Sequence, residues 1–125
     1  MKTVLLVEPD AQTAEIIKEF LEVDGRLQVF NAASSQDGIH VADEHAPDLV
    51  VLELAIPRHN GYAFLHEFRS YADWADVPVI VHSHLAVDEA AMSTSWKTLG
   101  AVEYLYKPTT TLKKLKTAIY AVLDL

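Results

Sequence analysis

The sequence predicts an α/β domain in which helices cover both faces of a parallel sheet. Short apolar runs alternate with longer segments of helical period along the 125 residues, an order that is typical of consecutive βαβ units. Several apolar runs lack polar alternation, as expected of strands that are buried on both faces. The length lies within the usual range of one domain, so we expect a single domain over residues 1–125.

Five strands and five helices follow in turn. The strand candidates are Thr3 to Val7, Leu27 to Phe30, Leu49 to Leu54, Val77 to His82 and Val102 to Leu105. Suitable N-caps precede the first three helices, namely Asp10, Ser34 or Ser35, and Asn60. The fourth helix, roughly 88–99, is expected to stop at Gly100, because glycine readily takes the left-handed conformation that follows many helices.

Apolar residues at spacings of three and four define the buried faces of the helices. The predicted inward-facing residues are Ala14, Ile17 and Leu21 in the first helix, Ile39 and Ala42 in the second, Phe64, Leu65 and Phe68 in the third, and Leu112, Leu115, Ile119 and Val122 in the fifth. Lys113, Lys114 and Lys116 lie opposite the last of these stripes, so we expect a solvated basic face there.

Composition and charge exclude several kinds of function. Ten Lys and Arg against eighteen Asp and Glu give a net charge of −8, which repels a phosphate backbone and argues against direct nucleic-acid binding. The chain has no cysteine, so it has neither a disulfide framework nor a thiolate metal site. The apolar run from Val4 to Val7 is too short for a signal peptide or a membrane span. We therefore expect a cytoplasmic protein without membrane association.

Polar side chains follow several of the predicted strands. In open α/β sheets a site forms outside the carboxyl ends of the strands, and Glu8, Glu53, Ser83 and Lys107 all fall there. Two carboxylates, a hydroxyl and an ammonium on one rim suit metal, phosphoryl or ion-pair chemistry. His82 and His84 could share a face, but no third ligand has the spacing of a transition-metal site.

Four stretches together resemble the response-regulator receiver family. They are VLLVEPD at 4–10, PDLVVLELAIPRHNG at 47–61, PVIVHS at 78–83 and GAVEYLYKP at 100–108, and they occur in the family's order and spacing over essentially the whole chain. The resemblance implies a flavodoxin-like (βα)5 three-layer sandwich with strand order 2-1-3-4-5. It also implies a non-enzymatic module of two-component phosphorelay signalling.

The resemblance assigns roles to individual residues. The phosphoacceptor position, an aspartate in the family, is Glu53, and the acidic pair after the first strand reads Glu8 and Pro9, with Asp10 next in the acidic pocket. The remaining family positions are Ser83 for the hydroxyl, Tyr104 for the reorienting aromatic, and Lys107 followed by Pro108, commonly through a cis peptide bond. A magnesium ion would be held by Glu8, Glu53 and the carbonyl of Ala55.

Two of these positions depart from the family pattern. Glutamate is one methylene longer than aspartate, and Pro9 has no side-chain oxygen to bind a metal, so we expect weak Mg²⁺ binding and weak or absent phosphotransfer. The ring of His84 is expected to narrow access to Glu53. The longer carboxylate of Glu53 is well placed to reach Ser83 and Lys107 in place of a phosphoaspartate.

The leading interpretation is therefore a receiver that signals through phosphorylation-independent partner binding. A conventional Mg²⁺-dependent phosphoacceptor regulator and a flavodoxin-like cofactor binder are the alternatives, although the carboxylates after the first strand would repel a nucleotide phosphate. The family often uses its fourth and fifth helices for docking. The expected partner is thus a histidine kinase, a downstream effector, or a second copy of the chain in a homodimer.

Overall fold

The structure is a computed structural model that describes residues 1–56, 60–85 and 100–125. Its strands are β1 (Lys2–Val7), β2 (Leu27–Ala32), β3 (Leu49–Leu52), β4 (Val79–Ser83) and β5 (Ala101–Tyr106). The described α-helices are α1 (Ala11–Glu22), α2 (Ser35–His45), α3 (Gly61–Ser70) and α4 (Leu112–Leu123), with short 3₁₀ helices at Ala72–Trp74 and Lys107–Thr109. The fourth helix predicted from the sequence falls outside the described residues.

The five strands form one parallel sheet in the order β2-β1-β3-β4-β5. This order confirms the topology that the resemblance implies. β1 lies between β2 and β3, and its Val4 is paired with Val29 on one side and with Leu49 on the other. The pairing of β4 with β5 is irregular after Val79, so that Val102 has no partner residue in the register.

Helices pack on both faces of the sheet, and the alternation of side chains along each strand gives two separate cores. Val4 and Leu6 of β1 face α1 and α4, whereas Leu5 and Val7 face α2 and α3. The first core also contains Ile17, Leu21, Leu115 and Ile119, and the second contains Phe64, Leu65 and Phe68. Each buried Leu or Phe stabilises the fold by roughly 1.5–3 kcal/mol. The predicted inward stripes and the three-layer sandwich are confirmed.

Side-chain caps begin the helices where the sequence predicts them. Asp10, Ser34 and Asn60 accept hydrogen bonds from the backbone N–H groups of Gln12, Asp37 and Ala63. Ser34, and not Ser35, is therefore the cap of α2. Such a cap stabilises a helix by about 1 kcal/mol. Gly100 has the predicted left-handed conformation, with φ +83°.

The strand boundaries differ from the predicted ones by one or two residues at seven of the ten strand ends. β4 starts at Val79 and not at Val77, because Pro78 has no N–H with which to join the ladder. β3 ends at Leu52, so Glu53 and Leu54 follow the strand, although the Glu53 N–H still donates to the carbonyl of Val7 at 3.0 Å. None of the described helices has the length and apolar character needed to cross a membrane.

Candidate functional site

Glu8, Glu53, Ser83 and Lys107 meet at the carboxyl edge of the sheet. The two glutamates are each 2% exposed and Ser83 is fully buried. Lys107 Nζ donates to Glu53 Oε1 at 2.8 Å and also to Glu8 Oε1, and its side chain is only 9% exposed. The structure therefore brings together the four side chains that the sequence places on one rim, and an ammonium lies between the two carboxylates.

Both oxygens of the Glu53 carboxylate accept hydrogen bonds. Oε1 accepts from Lys107 and from the His84 N–H at 3.1 Å, and the His84 Nδ1 lies 2.8 Å from the same oxygen. Oε2 accepts from the Ala55 N–H at 3.0 Å. Because these donors come from three segments, they fix the carboxylate in one position. The His84 ring, 64% exposed, lies against Glu53 on the solvent side.

The hydrogen bonds determine the ionisation of Glu53. Burial raises the pKa of Glu53, but hydrogen bonds from Lys107, from the Ser83 hydroxyl and from two backbone N–H groups lower it more. The net result is a pKa of about 2, against an ordinary value of 4.5. Glu53 is thus an anion at any physiological pH, and its charge is balanced by Lys107.

Ser83 and Tyr104 contact the backbone just beyond β4. Ser83 Oγ accepts from the Leu85 N–H at 3.1 Å, and the Tyr104 hydroxyl donates to the Leu85 carbonyl at 2.5 Å. Tyr104 is half-buried, and burial raises the pKa of its phenol. The two side chains therefore both hydrogen-bond to the backbone of Leu85, just beyond β4. A reorienting role for Tyr104 stays a prediction.

His82 is a buried neighbour of the site on β4. Burial lowers the pKa of His82 to about 4, and the positive charge of Lys107 acts in the same direction. Its imidazole is therefore neutral at physiological pH. Because only the neutral form fits this position, His82 adds no positive charge beside Glu53.

Asp10 lies at the rim with its carboxylate turned to α1. Its two oxygens accept from the Gln12 N–H at 3.2 Å and from the Thr13 hydroxyl at 2.7 Å, and these bonds lower the pKa of Asp10. The Asp10 N–H donates to Glu8 Oε2 at 3.1 Å, and the positive charge of Lys107 makes a small further contribution to the lowered pKa of Asp10. Its predicted contribution to an acidic pocket therefore stays a prediction.

The residues at this edge do not fit the magnesium ion that the resemblance implies. Pro9 supplies no side-chain oxygen, and the ammonium of Lys107 lies where Glu8 and Glu53 would converge on a metal. Both Glu53 oxygens already accept hydrogen bonds, while Mg²⁺ demands near-octahedral oxygen ligands. Within the described ranges no group of three His, Asp or Glu side chains is suited to a metal ion. A transition-metal site at His82 and His84 is likewise not found there.

Lys107 begins a 3₁₀ turn immediately after β5. The peptide bond between Lys107 and Pro108 is trans, so the cis bond that the resemblance implies is wrong for this chain. Pro108 lies in the first turn of Lys107–Thr109, where the missing N–H of a proline leaves no hydrogen bond unmade. The turn brings Lys107 back over the strand ends.

Gly61 supports the site in a way that sequence patterns do not reveal. Its N–H donates to the Leu54 carbonyl at 2.8 Å, and a Cβ at this position would lie 2.8 Å from the Glu53 carbonyl oxygen and from Leu54 Cα. The first turn of α3 therefore packs directly on the backbone that carries Glu53. Only a glycine permits this approach.

Arg69 is a second supporting residue that the sequence patterns do not reveal. Its guanidinium donates to the carbonyls of Trp74 at 2.7 Å, Val77 at 2.6 Å and Gly100 at 3.3 Å. It thereby ties α3 to the segment before β4 and to the start of β5. Gly100 faces the guanidinium, because a Cβ there would lie 2.7 Å from Arg69 Nη2.

Related sequences are found among regulators of transcription. MalR of Bacillus subtilis is 36% identical over 109 residues, and KdpE of Escherichia coli is 36% identical over 108 residues. Each alignment covers 86% of this chain and 45% of the relative. The chain thus spans less than half the length of these curated relatives.

Similar folds are found among solved structures. Chemotaxis protein CheY4 of Vibrio cholerae has a TM-score of 0.87 at 20% identity, with 98% of each chain covered. A receiver domain protein of Clostridium thermocellum has a TM-score of 0.84 at 25% identity, covering 99% of this chain and 95% of its own. The Mn(2+)-bound form of response regulator Rcp1 has a TM-score of 0.76 at 20% identity, with 100% and 94% covered.

A family model described as response regulator receiver domain matches residues 4–120. Receiver domains are typically non-catalytic signalling modules that interact with histidine kinases and effectors, and they commonly bind Mg²⁺. The match favours the receiver interpretation over that of a cofactor binder. With the five-stranded sheet, the site at its carboxyl edge and this match in agreement, the chain belongs to the response-regulator receiver family of two-component signalling.

Proposed function

We propose that this receiver signals by binding protein partners without being phosphorylated. The observation that carries the proposal is the state of Glu53, whose two oxygens accept hydrogen bonds from Lys107, His84 and Ala55. A carboxylate held in this way is fixed by donors from three segments, and its charge is already balanced by Lys107 before any phosphoryl group arrives. The residue at the acceptor position thus serves as an internal anion.

The length of the Glu53 side chain also opposes phosphotransfer. One additional methylene displaces the carboxylate by about 1.5 Å relative to an aspartate. In-line phosphoryl transfer depends on positioning, and a displacement near 1 Å can cost on the order of a hundredfold in rate. The Lys107 ammonium replaces the charge that a metal ion would bring. The two departures from the family pattern, Glu53 and Pro9, therefore act against the same reaction.

The ion pair offers a way to hold the domain in one signalling state. A charge-assisted hydrogen bond stabilises the state in which it forms by about 1.5–3 kcal/mol. Because Glu53 lies after β3, Ser83 ends β4 and Lys107 follows β5, their contacts link three strand ends. The difference in contacts between two states is what shifts their populations, and here it comes from the chain's own carboxylate.

The partner surface that we propose includes α4, which is the fifth helix predicted from the sequence, and β5. It also includes the fourth helix predicted from the sequence, which falls outside the described residues. Lys113 and Lys114 are exposed on α4, beside a shallow groove that Glu103 and Leu105 of β5 also line. Val102 at the start of β5 is 54% exposed. A groove that combines Leu105 with two lysines in an acidic protein suits docking of a kinase, an effector or a second copy.

Incubation with acetyl phosphate and Mg²⁺ tests the proposal directly. The variants are Glu53→Asp, Glu53→Asp combined with Pro9→Asp, and Glu53→Gln as a control that keeps the side-chain length without the carboxylate. Intact-mass spectrometry and phosphate-affinity gels should show no labelling of the parent and the strongest labelling of the double variant. Labelling of the parent as fast as that of the double variant would establish a conventional phosphoacceptor.

A second measurement addresses the partner. The parent should capture a partner from the native cell extract without added phosphodonor. Glu53→Gln should weaken the capture because it removes the ion pair with Lys107, and Lys113→Glu with Lys114→Glu should also weaken it. If capture by the parent requires acetyl phosphate, the phosphorylation-independent part of the proposal is wrong.

A further inference from the structure

A groove with aromatic walls lies between α2 and the carboxyl end of α3. It has a volume of about 540 Å³, and it shares no residue with the Glu53 site. Ile39 of α2 and Trp74 of the 3₁₀ helix are half-buried in it, and Tyr71, which follows α3, is 43% exposed. Trp74 has no interpretation from sequence alone because it is isolated there, but the fold places it in this groove.

The aromatic walls are held rigid by their neighbours. The ring of Trp74 stacks on Phe68 with centroids 5.0 Å apart, and Tyr71 meets it edge-on, also at 5.0 Å. The Trp74 carbonyl accepts from Arg69 Nη1 at 2.7 Å. Because the rings are fixed before any ligand arrives, binding costs little side-chain entropy.

The groove has a strongly one-sided charge. Asp43 of α2, Glu67 of α3 and Asp73 of the 3₁₀ helix all line it. None of these three carboxylates takes part in an ion pair within the described part of the chain. The hydroxyl of Tyr71 donates to Glu67 Oε2 at 3.2 Å, which raises the pKa of that phenol and aligns ring and carboxylate. His40 at the groove is itself paired with Glu44 at 3.1 Å.

We propose that this groove binds an arginine side chain on a basic segment of a protein partner. A guanidinium stacks on the face of an aromatic ring, and its five N–H donors satisfy carboxylates in a planar fork. The combination of rigid rings and unpaired carboxylates from three elements is complementary to that group. The ammonium of a lysine is more strongly hydrated and has no planar face, so it binds more weakly here.

A buried acceptor beside the groove is consistent with a donor-rich ligand. The Ser35 hydroxyl is buried, and it has no hydrogen-bond partner among residues 1–56, 60–85 and 100–125. It lines a small cavity of about 110 Å³, and Gln36 and Glu67 line both this cavity and the groove. Buried hydroxyls normally find a partner, and an arginine at Glu67 brings N–H donors into this neighbourhood.

Amide NMR titration of the full chain with a short glycine–serine peptide that carries arginines tests the inference. Binding should shift the amides of 36–43 and 67–74 and leave those of the Glu53 site unmoved. A matched peptide with lysine in place of each arginine should bind several-fold more weakly. A matched peptide with citrulline in place of each arginine lacks the charge and should bind at least about tenfold more weakly.

Matched charge variants distinguish binding at this groove from a general attraction of a basic peptide to an acidic protein. Asp43→Asn with Glu67→Gln should weaken binding by about tenfold, whereas Glu15→Gln with Glu19→Gln on α1, the same change in net charge at exposed positions, should leave it within about twofold. Tyr71→Leu tests the aromatic wall and should cost several-fold. Equal losses in the two charge pairs, equal binding of the citrulline peptide, or no binding by the parent would overturn the inference.

Discussion

Removal of the lysine ammonium between the two buried carboxylates is the most informative perturbation. In Lys107→Met the side chain keeps a similar length, but Glu8 and Glu53, each 2% exposed, lose their shared cation. The Glu53 pKa is about 2 against 4.5 ordinarily, a difference of about 2.5, which at 1.4 kcal/mol per pH unit corresponds to about 3.5 kcal/mol for all its hydrogen bonds together. Lys107 is the largest of the groups that lower this pKa. Removing one partner of a buried ion pair costs a similar amount.

The loss should depend on pH in a defined direction. Glu53 has a lowered pKa in the folded state, so its contribution is fully present above 4.5 and is lost as pH falls towards about 2. The variant lacks the Lys107 part of that contribution, whereas the hydrogen bonds from Ser83 and from the two backbone N–H groups remain. The difference between parent and variant should therefore be about 3 kcal/mol near neutral pH and shrink below about pH 4.

Urea unfolding followed by circular dichroism measures this difference at several pH values. Lys113→Met on the exposed face of α4 is the matched control, and its free energy of unfolding should stay within about 0.5 kcal/mol of the parent's. Combination of Lys107→Met with Glu53→Gln should cost less than the lysine change alone, because one unpaired charge is then absent. A loss that is the same at all pH values, or below about 1 kcal/mol, would refute the electrostatic account of the site.

Three further outcomes follow from the supporting residues. Gly61→Ala should destabilise the chain by about 1–3 kcal/mol, because its Cβ would meet backbone atoms at 2.8 Å; a chemical-shift change at Glu53 distinguishes this from a loss confined to α3. Arg69→Lys should lower the free energy of unfolding by about 2 kcal/mol, since an ammonium cannot donate to all three carbonyls; a loss below about 0.5 kcal/mol would contradict the bonding to Gly100. The His82 ring should titrate near pH 4 by NMR. Because burial lowers the pKa of His82 in the folded state, the free energy of unfolding should fall as pH drops from 6.5 towards 4. A titration midpoint at the ordinary histidine value would show that the ring is hydrated.

The order of the elements could be predicted from the sequence because the patterns of strands and helices are local. Apolar runs such as that from Val4 to Val7 indicate strands that are buried on both faces, and the N-caps Asp10 and Asn60 indicate where helices begin. The strand ends are predicted less accurately than the order, because a strand ends where its pairing with the neighbouring strands ends. β3 stops at Leu52 although Leu54 is also fully buried, and no local pattern distinguishes the two.

The rim of the site could also be predicted, since parallel strands bring their carboxyl ends to one edge. The hydrogen bonds there could not be predicted, because they depend on side-chain rotamers and on backbone atoms that are distant in the sequence. Nothing in the sequence shows that the His84 N–H donates to Glu53 or that the Asp10 carboxylate turns to its own helix. Close approaches such as that of Gly61 to the Glu53 backbone appear only after packing.

The two ends of β5 are held by different forces. At its start, the Gly100 carbonyl accepts a hydrogen bond from Arg69 beneath the sheet edge, and just after its end Lys107 is held by two carboxylates. Acid weakens the second attachment by protonating Glu53, whereas the first joins a guanidinium to a carbonyl and contains no acid that titrates. Protonation therefore acts on one end of β5 and leaves the other end unchanged.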